Sequence, residues 1–216
     1  MASGPINIET IKSFLPGYLL LAIAAFFILK SIVAGLSPQT VHLDHARLNY
    51  SPGLQPGERV ENFDLAKHTD GRGKFYDLFG KKGLLVVFLP KLATDQTDQR
   101  QLIALRHLAE NFHSLGVQVA VISHAPWPDL ANLRTKHQIN FPLLSDPLAK
   151  TGTLFGNTNT EGQLIAGSLL IDGQHLISRK YFLRNPEQRI AFRDIFYDTK
   201  NYFWPEPTRQ PPLQPT

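Results

Sequence analysis

A chain of 216 residues allows one ordinary globular domain with appendages. Its 43% hydrophobic and 19% charged residues exclude a disordered chain, and a net charge of +4 without any basic run excludes a nucleic-acid-binding arm. The absence of cysteine excludes disulfides, thiolate metal sites, CxxC redox motifs and cysteine nucleophiles. Mild basicity suits anionic headgroups, an acidic partner or simply a solvated surface.

Residues 1–13 carry only Glu9 and Lys12, too little for the basic start of a cleaved signal peptide. Residues 14–36, FLPGYLLLAIAAFFILKSIVAGL, match the roughly 20 helical residues that cross a bilayer core, so a retained single-pass transmembrane helix is predicted there. The one charge in it, Lys30, lies towards the C-terminal end, where a long side chain can snorkel to the headgroups. Lys12 and the amino terminus are balanced by Lys30 and Arg47, so the side of the membrane carrying the soluble domain is not set. The stretch has no His to ligate a haem or chlorophyll metal. Gly17, Ala22, Ala24, Ala25, Ala34 and Gly35 would let another helix approach closely, though such composition is ordinary for a lone span.

Residues 37–56, with Pro38, Pro52, Gly53 and Pro56, read as a linker; His42 and His45 in it have no third partner for a metal. A domain over residues 57–200 follows, alternating short apolar runs with amphipathic stretches as an α/β layer fold does. Residues 83–89 (GLLVVFL) read as a central strand. In residues 99–115, Leu102, Leu105, Leu108, Phe112 and Leu115 give a helix with one apolar face. Residues 117–123 (VQVAVIS) complete a βαβ unit with a parallel pair.

A short helix is expected over residues 128–137, and Asp146 is placed to cap another beginning at Pro147. Residues 168–171 and 174–182 form a predicted hairpin around the two-residue turn signal Asp172-Gly173, which makes the sheet mixed. Asn185, Pro186 and Gln188 carry the marks of a helix start, for a final helix running to about Tyr197. Residues 201–216 are assigned to a C-terminal tail, extended because five prolines fall in its last twelve residues.

This order of elements is that of the thioredoxin fold, and the local sequences resemble its peroxiredoxin branch, of the AhpC/TSA and bacterioferritin-comigratory type. Residues 57–65 (GERVENFDL) resemble the family opening G-x-x-A-P-x-F-x-L, with Glu61 in place of its proline. Leu105-Arg106 through Val119 resembles the family's first helix and following strand, and residues 141–146 match its FPLLSD segment. The resemblance covers essentially the whole soluble domain. It implies an α/β, thioredoxin-like three-layer fold with a mixed central sheet, here preceded by the one N-terminal transmembrane helix.

The family's catalytic signature is P-x-x-x-T-x-x-C, in which a helix N-terminus and an arginine lower the thiol pKa. Pro90, Thr94 and Thr97 occupy the marked places, so Thr97 stands where the family has its peroxidatic cysteine. The activating arginine, in R-x-T-F-x-I-D, corresponds to Ala166. A threonine hydroxyl neither ionises near neutral pH nor cycles through a sulfenic acid as a thiolate does. Pro90 and Thr94 can persist for the turn they shape.

The reading is a non-catalytic, membrane-anchored accessory or scaffold subunit, or an assembly factor, of a membrane protein complex. Its partners would be other subunits and the lipid bilayer, with no cofactor and no nucleic acid. Tyr202, Phe203 and Trp204 are candidate partner-binding residues; equally, they could close the domain's own core. The alternative is an enzyme or ligand-binding module reusing the pocket with non-thiol chemistry, with Thr97, Asp95, Asp98, His124 and His137 as candidate groups.

Overall fold

The computed structural model describes Thr40–Val41 and residues 53–67, 71–183, 185 and 187–205. The predicted transmembrane stretch 14–36, the pair His42 and His45, and the tail beyond Pro205 lie outside the described residues. Among the described residues no helix is long and apolar enough to cross a membrane. The chain divides into two units, Met1–Pro38 and Gln39–Thr216, and everything described belongs to the second.

The strands, in chain order, are β1 (Thr40–Val41), β2 (Asp64–Lys67), β3 (Gly71–Lys74), β4 (Gly83–Phe88), β5 (Val117–Ser123), β6 (Leu143–Ser145), β7 (Gly167–Asp172), β8 (Ile177–Tyr181) and β9 (Arg189–Ile190). The helices are α1 (Gln96–Ser114), α2 (Trp127–His137), α3 (Lys150–Phe155) and α4 (Phe192–Phe203), with a 3-10 turn at Phe75–Leu78. Seven strands form one sheet in the order β3-β2-β6-β5-β4-β7-β8, and β1 pairs with β9 apart from it. The β4, β5 and β6 strands run parallel, while β7 and β8 are antiparallel, so the sheet is mixed as expected.

Every side chain of β4 is buried, as a strand covered on both faces requires. Successive side chains point to opposite faces, and the core divides accordingly. Leu85 and Val87 pack with Leu102, Leu105 and Phe112 of α1, Leu130 and Leu133 of α2, and Ile195 of α4. Leu84, Val86 and Phe88 pack on the other face with Phe75, Phe155 and Phe182. The result is three layers, with α1, α2 and α4 on one side and α3 with the 3-10 turn on the other.

Five local expectations require correction. Helix α1 begins at Gln96 and not at 99, because Asp95 caps it by accepting from the Thr97 amide. Asp146 does cap a helix, but three residues further on: its carboxylate accepts from the amides of Lys150 (2.9 Å), Thr151 (2.9 Å) and Gly152 (3.3 Å), leaving Pro147 and Leu148 in an exposed turn.

The β7–β8 hairpin does not turn in two residues. Asp172 N donates to Leu176 O (2.9 Å), the Asp172 carboxylate accepts from Gln174 and Leu176, and His175 takes a positive φ of 65°. The last helix starts at Phe192 and not at Asn185, whose side chain caps only a turn by accepting from Glu187 N (3.0 Å); β9 intervenes. The stretch read as a linker is partly built into the domain. Thr40–Val41 forms β1, and Leu54 N donates to Leu154 O (3.0 Å).

Candidate functional site

The C-terminal end of β4 delivers the chain into a tight loop that leads to α1. Pro90 is buried, and its carbonyl accepts from Ser123 Oγ (3.0 Å) and His124 N (3.2 Å), which fixes the loop to the end of β5. Thr94 N and Asp95 N both donate to Lys91 O (3.0 and 2.8 Å), making the turn that Pro90 enters, while the Thr94 side chain faces solvent. Thr97 is the second residue of α1 and half-buried. Ala166 lies just before β7, whose pairing sets Gly167 against Phe88, so it reaches the same end of the sheet as Pro90. Pro90 and Ala166 thus lie at the same end of the sheet, from which the chain runs through Thr94 to Thr97.

The charge at this place comes from residues that the sequence reading did not join. Asp98, the third residue of α1, is buried, and its Oδ2 accepts from Lys91 N (2.8 Å). Its Oδ1 accepts from Arg189 Nη2 at 3.0 Å, an ion pair whose side chains are 2% and 13% exposed. A carboxylate in the first turn of a helix is favoured by the amides and dipole there, and the guanidinium supplies the opposite charge that a buried carboxylate requires. Gln99 Nε2 donates to Leu92 O (3.0 Å), so the whole loop is tied down. The sequence pattern places Arg189 in a helix, and no local pattern marks a pairing across 91 positions of sequence.

The cavity beside Arg189 is small. Ala166, Gly167, Ser168, Gln101, Tyr181 and Arg189 are among the residues lining about 20 Å³, which is room for one water. Gly167 is part of the closure, since a Cβ there would lie 2.6 Å from Phe182 Cδ1.

Of the other candidate groups, Asp95 and His124 have structural partners, whereas the His137 Nε2 is buried without one among the described residues. Asp95 caps α1. His124 Nε2 accepts from Leu164 N (2.9 Å), which spends its basic nitrogen on the backbone. His137 ends α2, where its carbonyl accepts from Arg106 Nη1 (2.9 Å). Burial first, then Lys136 and Arg106, hold its imidazole below the ordinary value. No nucleophile–base–orienter set is formed among these side chains. Tyr202 and Phe203 belong to α4 and pack on the domain's own core, with the Arg179 guanidinium 5.0 Å from the Tyr202 ring. Trp204 is 44% exposed, beneath Lys82 Nζ at 5.5 Å.

Fold and site define a thioredoxin-fold protein of the peroxiredoxin type with no thiol at its redox position. Residues 56–193 match the AhpC/TSA family, and the chain belongs to that family. Among solved structures it is similar to the peroxidoxin BcpB of Mycobacterium tuberculosis, at 20% identity and a TM-score of 0.60 over 69% of this chain and 97% of that one. It is likewise similar to AhpC of Mycobacterium tuberculosis, at 17% identity and a TM-score of 0.61 over 73% of this chain and 98% of that one. A yeast mitochondrial 1-Cys peroxiredoxin aligns at 16% identity and a TM-score of 0.59, over 74% and 84% of the two chains. These likenesses establish the fold. No curated protein matches the chain by sequence.

Proposed function

We propose that this protein is a non-catalytic, membrane-anchored member of its family that serves as an accessory or scaffold subunit, or assembly factor, of a membrane protein complex. The observation that carries the first half is the exchange of chemistry at the start of α1. Peroxide reduction by this fold needs a thiolate in a cationic niche; Thr97 offers a hydroxyl, Ala166 offers no charge, and the chain holds no cysteine. Beside Thr97, Asp98 is committed to an ion pair with Arg189, and the cavity that Arg189 and Ala166 help to line has room for one water. This argues against the vacated pocket as a ligand site.

The second half rests on the sequence. Residues 14–36 have the length and apolarity of a bilayer span, and the exposed Trp204 directly precedes the proline-rich end of the chain. A domain without its redox chemistry, held to a bilayer, is of use through contact with other proteins. Of the three candidate residues, Trp204 is the best placed for such contact, since Tyr202 and Phe203 pack on the domain's own core.

Native purification in mild detergent tests this reading. A stoichiometric complex with integral membrane proteins is the expected result. A soluble, monodisperse monomer extracted without detergent, or one that consumes hydroperoxide at enzymatic rates, would end it.

A further inference from the structure

The Asp98–Arg189 pair does more than balance a buried charge. Arg189 and Ile190 are the two residues of β9, and β9 is where the chain's own N-terminal strand docks: Thr40 pairs with Arg189 and Val41 with Ile190, in parallel. A two-residue ladder outside the main sheet has too few hydrogen bonds to persist unless at least one strand is held by something else. Here β9 is held twice. The Ile190 side chain is 6% exposed within the core, and the Arg189 side chain turns the other way to meet Asp98 in the first turn of α1. The period of two that sends Ile190 inward thus sends Arg189 to the carboxylate.

We infer that the former thiol site has become an anchor for the chain's N-terminal entry: the ion pair between Asp98 and Arg189 fixes β9 as the docking edge for Thr40–Val41. The first turn of α1, where the family places a reactive sulfur, here bears the fastening of a strap. The inference does not depend on a membrane, since it concerns only how β1 is held.

Amide hydrogen exchange on the full chain, read by peptide mass spectrometry, tests it. In the wild type the peptide spanning residues 39–42 should be protected, although the flanking sequence has no strand pattern of its own. Asp98→Asn removes the charge and should speed exchange there at least about tenfold, while the amides of β4 and β5, though exchanging faster than in the wild type, remain the best protected in the chain. If that variant loses protection throughout and so fails to fold, the apolar double substitution Asp98→Leu with Arg189→Met decides. Such a replacement commonly preserves a fold while abolishing the pairing. Strap exchange accelerated against a protected core supports the anchor. A wild-type strap that exchanges freely, or variants whose strap stays as protected as the wild type's, overturns it. Failure here would leave the accessory role untouched, because the detergent experiment reads a different property.

Discussion

Asp98 and Arg189 illustrate how a buried charge is made tolerable. The carboxylate is almost fully enclosed, and it is balanced by a guanidinium at 3.0 Å and by a backbone amide at 2.8 Å. Removing one member strands the other. Asp98→Ala is therefore expected to destabilise the fold by about 3–5 kcal/mol, whereas Asp98→Leu combined with Arg189→Met should recover most of that loss. Urea denaturation midpoints of the single and double variants check both statements.

His137 makes a prediction about pH. Its imidazole is held below the ordinary value of 6.5, chiefly by burial. As pH falls through about 6.5 the unfolded chain takes up a proton there and the folded chain resists, so the unfolded state binds more protons and stability drops towards acid. The drop levels off below the folded value, where both states are protonated. His137→Gln should flatten this acid-side dependence, seen by repeating the denaturation on both sides of that window.

At the scale of elements, the short helix α3 depends on a residue outside it. Six residues are too few to sustain a helix alone, and no side chain caps it at Ala149, which itself adopts a φ of 49°. Asp146 compensates by accepting from three successive amides of its first turn, while being 6% exposed. Asp146→Ala should cost about 2 kcal/mol and loosen α3 specifically, visible as faster amide exchange over Lys150–Phe155 before the central strands are affected. The β7–β8 hairpin shows the same dependence on one carboxylate. Asp172 accepts from Gln174 and Leu176, and this local bonding selects the three-residue loop over the tighter turn that Asp-Gly suggests.

For the molecule as a whole, the question is whether the family's chemistry can be put back. Thr97→Cys should fold, because Thr97 is half-buried and its side chain forms no bond the helix start relies upon; Asp95 bonds its amide instead. Ala166→Arg should not be accommodated. The space beside Ala166 has room for one water only, and Arg189 is already a cation lining it. Overpacking of this kind costs about 1–3 kcal/mol, with repulsion between two guanidinium groups added. The double variant is thus expected to be less stable than the wild type and to show no peroxidase turnover in a coupled assay. Turnover would mean that the niche reopens readily, and the sealed-site reading would have to be given up.

Much of this fold was legible because its signals are local. Continuous apolar runs at residues 83–89 and 117–123 and the three- and four-residue spacing between Leu102 and Leu115 bury the same atoms in any arrangement that covers a sheet with a helix. The lack of cysteine settles the fate of the thiol chemistry without reference to any structure. What required the tertiary structure was the identity of the groups replacing it. An ion pair across 91 positions leaves no periodic trace. The cap signal at Asn185 suggests a helix start because nothing nearby shows that Ile190 must enter the core and Arg189 must reach Asp98, which keeps those two residues in a strand ahead of Phe192. Local pattern decides which elements a chain can form; the competition for buried space and for opposite charge decides where each begins and what its ends are for.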